Sequence, residues 1–326
     1  MNTTENRKIR VAIEGAAGYT AGELLRILLF HPFVEVKYVH SDSNAGKPVY
    51  AVHKDLLGDT ELVFNDIDFN DTDVIFLCKG HGQSVKFMDE NNFPDRVKVI
   101  DLSMDFRDES NGFVYGLPEL QREKIHKAKL IANPGCFATS IELALLPLAA
   151  AGLLKNEVHI TSITGSTGAG QSPSDTTHFS WRNNNVSVYK PFRHQHLKEI
   201  AMCIHNLQPG FKKSINLVPV RGNFSRGIIA SCYTECSESQ AYVEKLYSDY
   251  YKNHPFTHIS IENPDLKQVV NTNKCILYLE RIDDKLYILS LIDNLLKGAS
   301  GQAVQNMNLM FGIAEDTGLH LKSTGF

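Results

Sequence analysis

The sequence predicts an α/β fold in two parts: a doubly wound parallel sheet, then an α+β region whose sheet is largely antiparallel. Three observations predict it. Short apolar runs alternate with stretches of helical spacing over the first 135 residues, as in strands paired in parallel through helical crossovers. After residue 136 strands rich in branched residues follow one another, and two flank Asp283-Asp284 as a hairpin does. With 326 residues, 43% hydrophobic and 21% charged, the chain is long and apolar enough for two cores.

Taken in order, Lys8 to Glu14 (KIRVAIE) reads as a strand, GAAGYTAG as a glycine turn, and ELLRILLF as an amphipathic helix closed by His31-Pro32. Val34 to His40, DVIFLC (73–78) and VKVIDLS (97–103) supply further strands. HITSIT, INLVPV, GIIASCYTE, CILYLERI and KLYILSLI are the strands of the second region. The last segment, GQAVQNMNLMFGIAEDTG, has helical spacing and is expected to end at Gly318.

Composition narrows the function. The net charge is −4 and Lys and Arg are scattered, so there is no electrostatic footprint for nucleic acid. No window approaches eighteen apolar residues, which argues against a membrane span. The polar start, MNTTENRK, lacks the apolar core of a secretory signal. Six cysteines spread through apolar runs are expected as thiols in a reducing cytoplasm. Cys232 and Cys236 have no second pair at zinc-like spacing and read as buried strand residues, so no metal is expected. Trp181, the sole tryptophan, reads as core or interface. A small-molecule substrate fits these constraints.

Two local patterns carry chemistry. Gly15-Ala16-Ala17-Gly18-Tyr19-Thr20 follows the first strand and opens a helix, where a dinucleotide pyrophosphate meets a tight turn and exposed amides. That context makes the first sheet Rossmann-type. Past the second strand, Ser41, Ser43 and Lys47 favour a ribose 2′-phosphate and Asp42 opposes it; the reading is NADP. The second pattern is NPGCFATS at 133–140. Asn133-Pro134-Gly135 breaks the preceding structure and Cys136 opens a helix, whose N-terminus favours a thiolate; Thr139 and Ser140 are placed to satisfy first-turn amides. A nucleophilic cysteine needs a base, and among 13 histidines His194 and His196 stand one residue apart before a helical stretch. The bland alternatives are a small buried thiol and two solvated loop histidines.

With these residues in view, the chain from about residue 9 onward resembles the N-acetyl-γ-glutamyl-phosphate reductase family, relatives of aspartate-semialdehyde dehydrogenase. GAAGYTAGELLR, AGK (45–47), GHG (80–82), DLSMDFR (101–107), YGLPEL (115–120), NPGCFATS, HQHLKEI and DNLLKGASGQAVQNMNLMFG match its motifs in order. Departures are Lys79, where Leu or Pro is more usual, Gln195 for Arg, Lys198 for Pro, and TGSTGAGQSP in place of a serine-rich loop.

The resemblance implies NADPH-dependent reduction of an N-acyl-γ-glutamyl phosphate through a cysteine thioester, in arginine biosynthesis. Cys136 is the implied nucleophile and His196 the preferred general acid/base, with His194 the alternative. Arg107, Asn133, Tyr189 and Gln171 are the expected substrate residues, with Tyr189 also orienting the histidines. Gly15, Ala17, Gly18, Tyr19, Thr20, Ser41, Ser43, Gly168, Asn294 and Gly298 are expected at the cofactor, with 297–301 returning to it and 165–170 a flexible loop. An oxyanion donor is expected among the first amides of the Cys136 helix. A homo-oligomer is expected, dimer or tetramer. The implied domains are 1–135 with 302–326 for the nucleotide, and 136–301 for catalysis and dimerisation. Aspartate-semialdehyde dehydrogenase and a non-catalytic NADP-binding sensor are the competing readings.

Overall fold

The computed structural model describes residues 7–325, so the polar start at 1–6 lies outside the described residues. The described chain divides into two compact units. Residues 7–117, 121–133 and 299–320 form the first; residues 118–120, 134–298 and 321–325 form the second.

Among the described residues the first unit holds a six-stranded, wholly parallel sheet of order β2-β1-β3-β4-β6-β5. Its strands are β1 (Ile9–Glu14), β2 (Val34–His40), β3 (Val74–Leu77), β4 (Lys98–Asp101), β5 (Val114–Tyr115) and β6 (Leu130–Ala132). The chain leaves β1 toward one edge and resumes at β3 on its other side, so β1 and β3 flank the switch point where doubly wound sheets bind ligands. β3 is buried along its whole length, as a strand covered on both faces must be. Helices α1 (Tyr19–Leu28) and α2 (Gln83–Glu90) follow β1 and β3, and α3 (Pro118–Lys127) precedes β6.

In the second unit the sheet has seven strands in the order β11-β12-β13-β10-β7-β9-β8. They are β7 (Val158–Thr164), β8 (Ser187–Val188), β9 (Ile215–Arg221), β10 (Ile228–Glu235), β11 (Thr257–Ser260), β12 (Cys275–Ile282) and β13 (Lys285–Ile292). Four neighbouring pairs are antiparallel; β11 with β12 and β7 with β9 are parallel. Asp283, at φ +52°, and Asp284 make the predicted two-residue hairpin, with Ile282 opposite Lys285. The accompanying helices are α4 (Cys136–Ala150), α5 (Phe179–Arg182), α6 (Leu197–Leu207) and α7 (Gln240–Tyr251). α4 is buried from Phe137 to Ala149, and its Pro147 has no N–H to offer Leu143; the Tyr251 hydroxyl donates to that carbonyl instead, at 2.5 Å.

Two helix ends differ from the sequence expectation. α1 stops at Leu28, because Phe30 and His31 donate to Ile27 and Leu28 in a tightened last turn. The last helix, α8 (Gly301–Met310), ends well short of Gly318: Gly312 takes φ +67° and Ile313 donates back to Asn308 at 2.9 Å, a six-to-one closure. α8 is buried on every side, so its Asn308 works internally, accepting from His31 Nε2 and donating to Thr317. Trp181 is 52% exposed, which removes it from the core.

Candidate active site

In the first unit β1 delivers the chain into a turn that only glycine fits. Gly15 has φ +76°, and a Cβ there would stand 2.9 Å from Lys79 Cγ and 3.0 Å from the Cys78 carbonyl carbon. Gly18 is the extended N-cap of α1; no side chain caps the helix and its first turn carries no acid. The α1 start is therefore built to receive an anion, and it fits a dinucleotide pyrophosphate. Ala17, Tyr19 and Thr20 lie in this turn; the Thr20 carbonyl accepts from Ser300, tying α1 to the start of α8. Ser41 and Ser43 both accept from Asn44 Nδ2, and Lys47 Nζ donates to Asn44 Oδ1 at 3.1 Å, so the phosphate-favouring side chains share one turn after β2.

The DLSMDFR segment closes the start of α2. Asp105 accepts from the amides of Gly82, Ser84 and Val85 at the head of α2, at 2.7, 3.1 and 3.4 Å. Arg107 is buried, with Nε donating to the Asn133 carbonyl at 2.9 Å and Nη2 to Leu102. Asn133 is also buried; its Nδ2 donates to Ala299 and its Oδ1 accepts from Asn306. That amide has partners within the unit and helps fix the chain ahead of Pro134.

In the second unit Cys136 is the first residue of α4, with Gly135 as an extended N-cap and no side-chain cap. Ser140 does not serve the first turn; its hydroxyl meets Ser290 Oγ at 3.0 Å. The Gly135 amide donates to Glu199 Oε2 at 3.0 Å, which leaves the expected oxyanion donor to the amides that follow it. The Glu199 Oε1 atom lies 3.9 Å from His196 Nε2, both side chains being nearly inaccessible. One carboxylate thus spans the entry to the cysteine helix and an imidazole. The sequence spelled this residue out inside HQHLKEI without marking its role; the i,i+3 spacing from His196 was the available signal.

The two histidines are brought together with ring centroids 4.6 Å apart, and Phe137, next to Cys136, lies edge-on to both, at 5.2 Å from His194 and 6.1 Å from His196. His194 Nδ1 accepts from the His196 amide, which puts the proton of the neutral ring on Nε2. Burial, and after it Lys190, pushes the His194 pKa down to about 4, so this ring is neutral near pH 7. Tyr189 packs edge-on to His194 at 5.8 Å under the Arg221 guanidinium, and its hydroxyl is pushed up by burial and by Cys136. Burial pushes the thiols of Cys78, Cys232 and Cys275 up to about 12, and no disulfide joins any of the six.

Gly298 lies against Cys136: a Cβ there would come 2.7 Å from Cys136 Cβ. Asn294 accepts from the Gly227 amide and donates to Thr167, so its amide holds the 165–170 loop. That loop is pinned by Ser166 and Thr167 donating to Phe224 and Ser225, a correction to the flexible segment expected. Gly168 lies beside Thr164 and Asn294, and Gln171 is exposed. Lys297 is corrected too: wholly buried, it pairs with Glu119 Oε1 at 2.7 Å and is not directed to a cofactor.

The chain matches the semialdehyde dehydrogenase NAD-binding domain over residues 10–128 and the semialdehyde dehydrogenase dimerisation domain over residues 136–294. It is 55% identical to the N-acetyl-gamma-glutamyl-phosphate reductase of Parabacteroides distasonis over 321 residues, covering 98% of this chain and 100% of that one. The enzyme of the same name from Christiangramia forsetii is 56% identical over 320 residues, at the same coverage. The chain belongs to the N-acetyl-gamma-glutamyl-phosphate reductase family. An aspartate semialdehyde dehydrogenase II structure from Vibrio cholerae, complexed with ASA, superposes with a TM-score of 0.72 at 18% identity, covering 94% of this chain and 99% of that one; the likeness extends to the fold. As an oxidoreductase of the reductase family, the chain uses a nicotinamide cofactor, and the open start of α1 is where its own structure fits one. Among the described residues no helix is long and apolar enough to cross a membrane.

Proposed function

We propose that the chain reduces N-acetyl-γ-glutamyl phosphate to N-acetylglutamate 5-semialdehyde and phosphate with NADPH, in arginine biosynthesis. The observation that carries this reading is Cys136 at a helix start without a side-chain cap, with the next residue, Phe137, packed against a neutral histidine and a carboxylate-paired one. The Cys136 thiolate attacks the γ-acyl carbon, the acyl carbon–oxygen bond breaks, and phosphate departs to leave a thioester. The first-turn amides of α4 after Gly135 face the developing oxyanion. When bound, the reduced nicotinamide supplies two electrons and a hydrogen to the acyl carbon. His196, with Glu199 stabilising its protonated form, delivers the proton that lets the thiohemiacetal collapse and release Cys136. His194, neutral and protonated on Nε2, serves as a hydrogen-bond donor to the substrate side.

Arg107, Tyr189 and Gln171 are the proposed substrate ligands, and Arg107 also holds the main chain before Cys136. Gly15, Ala17, Gly18, Tyr19 and Thr20 would hold the pyrophosphate, with Ser41, Ser43 and Lys47 at the 2′-phosphate; Gly168, Asn294 and Gly298 are the remaining proposed cofactor residues, Gly298 against Cys136. A homo-oligomer is supported by the dimerisation-domain match and by the exposure of Phe179, Trp181, Val188 and Phe192. The thiols, none of them in a disulfide, support a cytoplasmic setting.

The test is phosphate-dependent reduction of NADP by the purified protein, supplied in turn with N-acetylglutamate semialdehyde, N-succinylglutamate semialdehyde and aspartate semialdehyde. Turnover with the N-acetyl compound alone is expected. Preference for either of the others overturns the substrate assignment.

A further inference from the structure

The turn after β2 contains a contradiction. Asp42 stands two residues beyond the end of β2, where a carboxylate favours the diol of an unphosphorylated ribose and repels a 2′-phosphate, yet Ser41, Ser43 and Lys47 around it suit a phosphate. A residue from across the switch point resolves it. Lys79, which follows β3, runs its stem over Gly15 and places its ammonium 2.6 Å from Glu14 Oε1 and 3.3 Å from Asp42 Oδ2.

The two partners are unequal. The Glu14 side chain is 4% exposed and its second oxygen lies 2.8 Å from His40 Nδ1, so that carboxylate is a fixed, buried anchor. Asp42 is 76% exposed, held from one side by Lys79 and more distantly by His40 at 4.0 Å. Both carboxylates and the ammonium line a cavity of 550 Å³ together with Gln83 and Lys86. Lys79 therefore has one partner that keeps it in place and one whose charge it cancels at the mouth of the cavity.

We propose that Lys79 sets the cofactor preference, by neutralising Asp42 so that the site accepts the 2′-phosphate of NADP. The inference rests on the nucleotide reading of the first unit and goes beyond it, since it gives a selecting role to a position at which this chain departs from the family motif. Without Lys79 both Asp42 and Glu14 keep their charge, and a dianionic phosphate brought beside them is repelled. A ribose bearing only hydroxyls loses little.

The experiment measures dissociation constants of 2′,5′-ADP and 5′-AMP by calorimetry, with no substrate present, on the full chain and on Lys79→Met, Asp42→Asn and the double variant. The unaltered chain is expected to favour 2′,5′-ADP. Lys79→Met should reduce that preference by on the order of tenfold; Asp42→Asn should keep or raise it; and the double variant should regain most of the lost preference, with Glu14 the one carboxylate of the pair left without Lys79. A preference unchanged in Lys79→Met overturns the proposal. So does a double variant as poor as Lys79→Met, because Lys79 would then act on the phosphate directly. The ratio is insensitive to partial unfolding, which weakens both ligands, and Asp42→Asn probes the same pair should Lys79→Met not fold. Failure of every form to bind either nucleotide would instead remove the nucleotide reading itself.

Discussion

α1 and α4 begin in the same way, and α2 does not. The first two follow a strand, take an extended glycine as N-cap, carry no side-chain cap, and have no acid in the first turn. α2 begins at a left-handed Gly82 whose neighbouring amides are filled by Asp105. At α2 the fold fills the first amides with its own carboxylate, whereas at α4 Glu199 takes the Gly135 amide and at α1 no side chain caps the turn; unsatisfied amides and the helix dipole favour negative charge at such starts. α1 and α4 then part in what that end receives. α1 is opened by a φ +76° glycine that lets the backbone itself approach a phosphate. α4 puts a thiol at the first helical position and spends the Gly135 amide on Glu199, which links the cysteine's helix to His196.

This comparison breaks most sharply at the thiol. Cys136→Ser is expected to lower kcat by about 1,000-fold or more, because the hydroxyl is far less ionised at the same helix start; mass spectrometry of quenched turnover should lose the acyl adduct while nucleotide affinity stays. Next in size is the base. His196→Asn should cost about 100-fold to 10,000-fold in kcat, and His194→Asn markedly less, since His194 is neutral near pH 7 and acts as a donor. Equal losses in steady-state kinetics would erase the division of roles.

Smaller effects sharpen it. Gly298→Ala drives a methyl group to 2.7 Å from Cys136 Cβ, so thermal melting should show a loss of about 1–3 kcal/mol together with slowed alkylation of the thiol. Acid should weaken the fold through His194. Its folded pKa of about 4 lies below the ordinary 6.5, so between those values the unfolded chain binds the extra proton. Stability therefore rises with pH across that window, by at most about 1.4 kcal/mol per pH unit, and His194→Asn should flatten the urea-denaturation profile there. Asp105→Ala should cost about 1 kcal/mol, as loss of an N-cap does, with kcat little changed. A comparable effect on turnover would show that α2 also serves the chemistry.

Much of the fold was legible because periodicity and punctuation are local. β2, β12 and β13 occupy the predicted residues, and the hairpin at Asp283-Asp284 follows from two strands separated by a two-residue turn. The strands missed, β5, β6, β8 and β11, have two to four residues, too few to display a period. The far end of α8 was misplaced because the segment beyond Gly312 keeps helical spacing while the backbone closes on Asn308. Within the site, Cys136 stood out through its glycine and its helix, and the histidine pair through its spacing. Lys297 was misread because a polar residue in a motif looks the same whether it faces a ligand or satisfies the interior.

The sequence by itself determined the alternation of strands and helices, the glycine that opens α1, the cysteine that opens α4, and the motif order that marks the family. Each depends on neighbours a few residues apart, whose propensities and spacing are written in the chain. Tertiary structure alone decided which amides stay open, that Glu199 joins Gly135 to His196, that Gly298 packs on the thiol, and that Lys79 lies between Glu14 and Asp42. Apart from the short step from His196 to Glu199, those pairings cross from tens to more than a hundred and fifty positions of sequence, and burial is what makes them decisive, because a charge or amide removed from water must find its partner within the fold.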